Sequence, residues 1–147
     1  MDVSVIVPFY KGNKYINNIL RMVKENVANA NEITVEVVVV NDSPEIEIQY
    51  EKDLVDGYFL NIVRHKKNMG IQQARITGIN VAQGKYVLML DQDDEIIPNT
   101  IKTQFDLIGD NAAILSNGYS ENSDGIRIEL YKNKKQMSVV NLSLIHI

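Results

Sequence analysis

The sequence predicts an α/β fold, a mostly parallel sheet flanked by helices. Short segments rich in β-branched residues alternate with longer segments in which apolar residues recur at helical spacing, an order typical of strand–helix–strand units. One short segment contains four consecutive valines at residues 37–40, which indicates burial on both faces, as in a parallel sheet. The chain has 147 residues, 45% of them apolar, which is enough for one domain with its own core.

The predicted elements begin with a strand at residues 3–7, which Pro8 ends. A helix over 14–29 follows, because apolar side chains recur there at helical spacing. Gly84 is predicted as a helix C-cap, and Pro98 as the first residue of the last helix. The other predicted elements are strand 33–40, a weak helix at 46–54, strand 59–64, helix 71–82, strand 86–90, helix 98–108, and strands 112–117 and 126–131 around a turn region at 118–125.

The composition excludes several classes of protein. With 15 basic and 19 acidic residues the net charge is -4, which argues against a nucleic-acid-binding surface. The absence of cysteine excludes disulfides, thiolate metal sites and a cysteine nucleophile. No apolar run approaches the ~20 residues of a membrane helix, and the N-terminus lacks a signal-peptide pattern. We therefore expect a cytoplasmic protein, with any membrane association encoded outside these residues.

The fold predicts where functional residues lie. Right-handed crossovers place the carboxyl ends of all parallel strands at one edge of the sheet, and ligands bind at that edge. The candidate functional segments are therefore those that directly follow the strands, at residues 8–10, 41–42, 65–70 and 91–95.

The last of these segments is an acidic cluster, Asp-Gln-Asp-Asp-Glu at 91–95. Four carboxylates in five residues repel one another unless a cation relieves the repulsion, and hard divalent cations take oxygen ligands. On extended backbone Asp91 and Asp93 point to the same side. The alternative is a solvated acidic loop. An EF-hand is excluded, because the sixth position from Asp91 is Ile96 where that loop needs glycine.

Asp42 and Arg75 are further candidates, each with a structural alternative. Asp42 follows a fully apolar strand, so its carboxylate can accept a hydrogen bond from a base or a ribose; alternatively it forms an Asx-turn with Ser43. Gly70 permits tight entry into the next helix, where Arg75 can bind a diphosphate or a base carbonyl; alternatively Arg75 is an exposed helical arginine. His65 lacks a metal-binding context and is predicted as a loop residue.

Taken in order, these segments resemble the N-terminal half of a family 2 glycosyltransferase of the GT-A (Rossmann-like) fold. The motifs are VSVIVPFY at 3–10, VVVVND at 37–42, NMG followed by AR and a glycine at 68–78, and GKYVLMLDQDD at 84–94. The resemblance implies a site for a nucleotide-diphosphate-sugar donor with a divalent metal, Mn²⁺ or Mg²⁺. The residues that it assigns to the donor are Pro8, Phe9, Tyr10, Asp42, Asn68, Gly70, Arg75, Asp91, Gln92 and Asp93.

The resemblance also implies individual roles. Residues 8–10 and Asp42 contact the nucleoside, and Arg75 lies near the base or the diphosphate. In the D-x-D motif, Asp93 is the best candidate for the metal, and Asp91, the second candidate ligand, lies nearer the ribose. A carboxylate-bound metal neutralises the charge that develops on the departing diphosphate. The implied reaction inverts the anomeric centre and transfers a hexosyl or related residue to a saccharide or lipid-linked acceptor, as in polysaccharide biosynthesis.

The resemblance further implies that the fold is incomplete at the C-terminus. Family members use a carboxylate general base on the acceptor side, and we expect that base beyond residue 147. A fragment without it is expected to bind the donor but to be inactive alone; Glu121 and Asp124 are expected only in a turn. Residues 1–141 form the expected donor-binding part. The last six, LSLIHI at 142–147, are similar to the translation of a sequencing-library adapter and are expected to be a non-native tail.

Two other functions stay open at this point. A nucleotidyltransferase would have a glycine-rich loop and a basic residue near its N-terminus, where this chain offers only Lys11 and Gly12. A non-enzymatic flavodoxin-like or receiver domain would have an acidic pair after the first strand, where this chain has Pro-Phe-Tyr at 8–10. The chain contains no GxGxxG, GxxxxGK[ST] or GxSxG motif, which argues against dinucleotide, P-loop and α/β-hydrolase sites.

Overall fold

The computed structural model of the chain describes residues 1–109, 113–115, 118–129 and 142–146. Its helices are α1 (Asn13–Ala28), α2 (Ile71–Val81) and α3 (Thr100–Ile108). Its strands are β1 (Val3–Phe9), β2 (Val35–Asn41), β3 (Phe59–Arg64), β4 (Tyr86–Met89), β5 (Ala113–Leu115), β6 (Tyr119–Glu121), β7 (Arg127–Glu129) and β8 (Leu142–His146). Within those ranges, no helix combines the length and the apolar character that a membrane crossing requires.

Six of the described strands form one sheet, in the order β3-β2-β1-β4-β8-β5. β1 pairs in parallel with β2 and with β4, and β2 pairs in parallel with β3. β8 is antiparallel to its neighbours β4 and β5. The predicted mostly parallel sheet is therefore confirmed. The strand order reverses between β1 and β4, and open α/β sheets bind ligands at the carboxyl ends of strands at such a switch point.

Helices cover both faces of the sheet, which explains why the central strands are apolar throughout. On one face, Val37 and Val39 join a core cluster with side chains of α1 and α3. On the other face, Val38 and Val40 pack with Ala74 of α2. All residues of β1 and β2 are buried. The prediction from the four valines, burial on both faces, is confirmed.

Gly78 brings α2 close to the sheet. A Cβ atom at this position would lie 2.3 Å from Cγ2 of Ile6 in β1 and 3.4 Å from Cγ2 of Val40 in β2. Because no side chain separates the helix from the strands, α2 is held against the centre of the sheet. Arg75, in the same helix, is thereby brought within reach of the loop that follows β4.

The prediction that Gly84 caps a helix is wrong, because α2 ends at Val81 and the C-cap is Ala82. A Cβ atom at Gly84 would lie 2.6 Å from the backbone nitrogen of Ser4. The N–H of Gly84 donates to Oγ of Ser4 at 2.8 Å, and that hydroxyl donates to Oε1 of Glu36 at 2.5 Å. Glycine is needed here because the chain approaches the backbone of β1 closely.

We expect Gly84→Ala to lower the free energy of unfolding by about 2 kcal/mol, because the new methyl group meets backbone atoms that cannot rotate away. Urea denaturation followed by circular dichroism measures the effect. Gln83→Ala is the matched control in the same turn, and its exposed side chain predicts a change of less than about 0.5 kcal/mol. An unchanged midpoint for Gly84→Ala would contradict the packing argument.

The weak helix predicted at 46–54 is wrong, since only a 3₁₀ turn forms near its end. Two asparagines of α1, one helical turn apart, bind the backbone of this segment instead. Oδ1 of Asn13 accepts from the N–H of Gln49 at 3.1 Å, and Oδ1 of Asn17 accepts from the N–H of Glu51 at 3.0 Å. These N–H groups have hydrogen-bond partners without helix formation. A weakly helical segment therefore gains little from forming the hydrogen bonds of a helix.

The predicted start of the last helix at Pro98 is also wrong, because α3 begins at Thr100. Asn99 precedes it with a φ of 68°, in the left-handed region. That conformation cannot belong to a right-handed helix, and asparagine tolerates it better than most residues. The chain between β4 and α3 therefore stays irregular as far as Asn99.

The predicted turn region at 118–125 contains strand β6, which forms a two-stranded antiparallel sheet with β7. The turn itself is shorter, because Oδ1 of Asn122 accepts from the N–H of Asp124 at 3.0 Å. Glu121 pairs with Arg127 across this hairpin at 2.5 Å. Parts of the two predicted strands lie outside the described residues, namely 112, 116–117 and 130–131.

The predicted non-native tail includes strand β8, which lies between β4 and β5 in the sheet. Its residues pair with β4 in the register Tyr86↔His146. An adapter origin for residues 142–147 stays a prediction. Resequencing the source gene tests it, and natural codons for these residues would contradict it.

Candidate functional site

The loops after β1, β2 and β4 are joined to one another at the carboxyl edge of the sheet. The N–H of Lys11 donates to Oγ of Ser43 at 2.9 Å. Gln92 binds both backbone groups of Tyr10, accepting from its N–H at 2.9 Å and donating to its carbonyl at 3.1 Å. A Cβ atom at Gly12 would lie 2.3 Å from Oε1 of Gln92. Gln92, predicted as a donor-binding residue, therefore links two loops of the site.

Asp42 joins the end of β2 to the loop before α2. Its Oδ1 accepts from the N–H of Met69 at 2.7 Å and lies 2.7 Å from Nδ1 of His65, and its Oδ2 accepts from the N–H of Gly70 at 2.8 Å. Its side chain is only 4% exposed. The alternative of an Asx-turn with Ser43 is not what forms, because the carboxylate reaches a different loop. Contact with a nucleoside stays a prediction.

The environment of Asp42 favours its charged form. Burial alone would raise the pKa of the Asp42 carboxyl, but hydrogen bonds from His65 and from the N–H groups of Met69 and Gly70 outweigh burial and lower the pKa. Because the carboxylate only accepts hydrogen bonds, Nδ1 of His65 carries the proton that they share. Nε2 of His65 lies 2.9 Å from Oγ1 of Thr77 in α2. The imidazole thus connects β2, β3 and α2.

Arg75 and Asp91 form an ion pair between α2 and the loop after β4. The Nη2 atom of Arg75 lies 2.7 Å from Oδ1 and 2.8 Å from Oδ2 of Asp91. The two side chains are 28% and 34% exposed. In the described part of the chain, Nε of Arg75 is buried and has no hydrogen-bond partner. Arg75 is therefore half-buried and paired with the loop after β4, not a fully exposed arginine, and its binding of a diphosphate or a base stays a prediction.

The acidic segment continues with exposed side chains. Asp93 and Asp94 are both exposed. Partial burial raises the pKa of the Asp94 carboxyl, the charges of Asp91 and Asp93 raise it further, and Arg75 acts in the opposite direction. These carboxylates are therefore close enough to repel one another at the end of β4. A cation placed among them would relieve that repulsion.

The donor set of this segment fits a hard divalent cation only in part. Asp91 and Asp93 supply the oxygen ligands that Mg²⁺ and Mn²⁺ take. Across the residues that the structure describes, however, no three His, Asp or Glu side chains converge on a point that could hold a metal. Mg²⁺ is commonly held by one or two carboxylates together with phosphate oxygens. The residues therefore fit a cation that is bound jointly with a phosphate ligand.

The remaining predicted site residues have different surroundings. Pro8 is buried, and Phe9 is 1% exposed within the core, so its side chain is not on the surface of the site. Tyr10 is 46% exposed and is the accessible side chain of that segment. Gly70 has a φ of 82° at the N-cap of α2, and its N–H also donates to Oδ1 of Asn68 at 2.9 Å. Glycine is the residue that adopts this conformation without strain.

Asn26 was not predicted from the sequence as a site residue, yet it fixes the far end of the acidic loop. Its Nδ2 donates to the carbonyl of Ile97 at 3.2 Å, and its Oδ1 accepts from the N–H of Ile101 at 3.2 Å. Asn26 is buried in α1. A signal for it existed, because it is a polar residue within the apolar stripe of that helix. No comparable feature of the sequence indicated that His65 contacts Asp42 and Thr77.

Comparison with known proteins decides the family. A sequence model of glycosyl transferase family 2 matches residues 4–144. The chain belongs to glycosyl transferase family 2. This family 2 chain is 35% identical over 119 residues to an uncharacterized glycosyltransferase of Rickettsia bellii, with 78% of the chain and 16% of that protein covered. The nucleotidyltransferase and flavodoxin-like alternatives are not supported by the match.

Two solved structures share the fold. The first is S. aureus TarS 1-349 in complex with UDP-GlcNAc, with a TM-score of 0.60, 27% identity, and 77% of this chain and 32% of that chain covered. The second is the mannosyltransferase PcManGT from Pyrobaculum calidifontis in complex with GDP-Man and Mn²⁺, with a TM-score of 0.60, 21% identity, and 76% and 33% covered. The likeness to the second shows the fold alone. The predicted GT-A fold is confirmed.

The family 2 chain is short relative to its relatives. It spans between 16% and 41% of the length of the first four curated proteins that it matches. The described edge of the sheet is therefore compared with only a part of each of those proteins.

Proposed function

We propose that the chain forms the donor-binding part of an enzyme that transfers a glycosyl residue from a nucleotide-diphosphate-sugar to an acceptor. Family membership and the fold shared with TarS bound to UDP-GlcNAc support this proposal. The observation that carries it is the Arg75–Asp91 pair beside Asp93, because it puts a guanidinium and carboxylates together at the switch point of the sheet.

Arg75 has the properties of a diphosphate-binding residue. A guanidinium binds phosphate oxygens with two parallel hydrogen bonds, and such charge-assisted bonds are among the stronger ones in proteins. Only Nη2 of Arg75 is bound to Asp91, and its buried Nε lacks a partner in the described residues. An anion at this place would satisfy that donor. We therefore assign Arg75 to the diphosphate of the donor.

Asp91 and Asp93 are assigned to a divalent cation, Mn²⁺ or Mg²⁺, that is shared with the donor. The carboxylate oxygens that they supply are the ligands that both cations take. When bound, such a cation supplies positive charge for the departing diphosphate. To bind this cation, Asp91 would have to give up its ion pair with Arg75. The side chain of Asp93 is exposed and would reach the cation without breaking such a pair.

The rest of the predicted reaction stays part of the proposal. Tyr10 is the exposed residue assigned to the nucleoside. Asn68 and Gly70, which is hydrogen-bonded to Asp42, are assigned to the donor as well. Transfer with inversion requires a carboxylate general base on the acceptor side, which we propose lies beyond residue 147. The same proposal includes transfer of a hexosyl or related residue to a saccharide or lipid-linked acceptor. It also includes low activity of residues 1–147 alone.

Calorimetric titration of the chain with UDP, GDP and dTDP tests donor binding. We expect at least one of these nucleotides to bind, and Mn²⁺ to strengthen its binding relative to a solution with chelator. Asp93→Asn should reduce the effect of Mn²⁺ by about tenfold or more, because loss of a direct ligand should cost at least as much as loss of a group that only supports a ligand. Equal affinities with Mn²⁺ and with chelator would contradict the metal assignment.

Asp124→Asn is the matched control for this experiment. Asp124 is an exposed aspartate in the turn between β6 and β7, and its replacement removes the same charge. We expect it to leave nucleotide affinity and the effect of Mn²⁺ unchanged. Failure of all three nucleotides to bind would contradict the donor-binding proposal as a whole.

A further inference from the structure

An open hollow lies at the end of β3, away from the Arg75–Asp91 pair. It is lined by Arg64, His65, Lys66, Lys67, Met69, Gln73 and Thr77. The first four residues follow one another at the end of β3, and Gln73 and Thr77 are one turn apart on the same side of α2. The hollow is therefore formed by one strand end and one face of a helix.

The hollow carries an uncompensated positive charge. Arg64, Lys66 and Lys67 are exposed, and within the described ranges none of them has a carboxylate within salt-bridge distance. By contrast, Arg75 and Lys102 each lie 2.7 Å from a carboxylate oxygen. The whole chain has a net charge of -4, so acidic residues are not scarce. Three like charges in four consecutive residues repel one another, and a bound anion would remove that repulsion.

The inner side of the hollow is held in place by hydrogen bonds. His65 lies 2.7 Å from Oδ1 of Asp42 and 2.9 Å from Oγ1 of Thr77. The charge of Asp42 is buried behind the imidazole and is met by the N–H groups of Met69 and Gly70, so it does not neutralise the three exposed cations. The lining thus combines hydrogen-bonded polar groups with exposed cationic side chains at the rim.

The hollow is separate from the place assigned to the donor diphosphate. β3 and β4 are separated by β2 and β1 in the sheet, so their ends lie about 14 Å apart at the usual strand spacing. On α2, Arg75 lies between Gln73 and Thr77 in sequence and therefore on a different side of the helix. One diphosphate cannot contact both groups of cations.

We propose that this hollow binds a phosphate group that is not part of the sugar donor and is carried by another molecule. Phosphate suits the lining because arginine binds it with two parallel hydrogen bonds, while the lysines add point charges and Gln73 adds a neutral donor. The phosphate belongs either to a soluble phosphate ester or to the headgroup of an anionic lipid. The proposal rests on the hollow alone and does not depend on donor binding.

Two-dimensional NMR titration with inorganic phosphate tests the soluble source. Phosphate should shift the resonances of His65, Gln73 and Thr77 in a saturable manner. The triple variant Arg64→Gln, Lys66→Gln, Lys67→Gln should bind phosphate about tenfold or more weakly, because the charge-assisted contacts are lost. Its side chains are exposed, so folding should be unaffected. Shifts at Arg75 without shifts at Thr77, or equal affinity in the variant, would overturn the proposal.

The control variant is Arg21→Gln, Lys52→Gln, Lys102→Gln, which removes the same total charge from other surfaces and should bind phosphate like the unmodified chain. Co-sedimentation with vesicles of phosphatidylglycerol, compared with phosphatidylcholine, tests the lipid source. Binding to phosphatidylglycerol that phosphate displaces and that the hollow variant loses identifies a lipid headgroup. Phosphate binding without vesicle binding identifies a soluble ester. Absence of both overturns the proposal.

Discussion

Replacement of Asp42 with asparagine is expected to lower the free energy of unfolding by about 2 kcal/mol, the order found when a hydrogen-bond donor inside a protein loses its partner. The Asp42 carboxylate meets three donors, on His65, Met69 and Gly70. An amide has a single acceptor oxygen, and its NH₂ group would face one of these donors. At least one of these partly buried donors would then lack a partner. Urea denaturation at neutral pH measures the loss.

We also expect the effect of Asp42→Asn on the free energy of unfolding to depend on pH. The pKa of Asp42 in the folded protein lies below its ordinary value, despite burial, because of its hydrogen bonds. A carboxyl with a lowered folded pKa stabilises the protein fully above its unfolded pKa, at about pH 4, and that contribution disappears as pH falls through the folded pKa. Asparagine does not titrate. The difference in stability between the two proteins should therefore shrink below about pH 4, as protonation removes the contribution of the Asp42 carboxylate.

Asp53→Asn provides the control, because Asp53 is exposed in the 3₁₀ turn and lies outside this network. We expect its unfolding free energy to stay within about 0.5 kcal/mol of the unmodified chain at every pH. A difference for Asp42→Asn that persists unchanged into the acid range would show that the charge of Asp42 is not what stabilises the loop.

The fold was predictable because its main determinants are local in sequence. The side chains of the valines at 37–40 point alternately to the two faces of the sheet, and both faces are buried. This arrangement follows from the strand period and the unbroken apolar run. The order of strands and helices then limits the topology to parallel crossovers. The edge that carries Asp42 and Asp91 follows from that topology without knowledge of any side-chain contact.

The contacts that shape the site were not predictable because they join residues far apart in sequence. Asn13 prevents a helix in a segment more than thirty residues later, as its bond to Gln49 shows. His65 connects Asp42 with Thr77, and only the pairing of β2 with β3 places them together. The burial of the Phe9 side chain, by contrast, follows from the strand period, and contact of this segment with a nucleoside stays a prediction.

Arg75→Gln is expected to have opposite effects on two kinds of binding. The affinity for a nucleoside diphosphate in the absence of metal should fall by about 100-fold, equal to about 2.7 kcal/mol, because the proposed diphosphate ligand is lost and Asp91 then repels the phosphates. The affinity for Mn²⁺ alone should rise several-fold, because both oxygens of Asp91 are released from the ion pair. Calorimetry with the nucleotide and electron paramagnetic resonance with Mn²⁺ measure the two effects.

The opposite signs separate this proposal from general damage to the protein. A variant that merely unfolded or loosened the loop after β4 would lose both affinities together. Arg127→Gln is the matched control, since it breaks the exposed Arg127–Glu121 pair in the hairpin and should change neither affinity. If Arg75→Gln lowered Mn²⁺ binding as well, Asp91 would depend on Arg75 for its position, and the exchange of Asp91 between guanidinium and cation would be wrong.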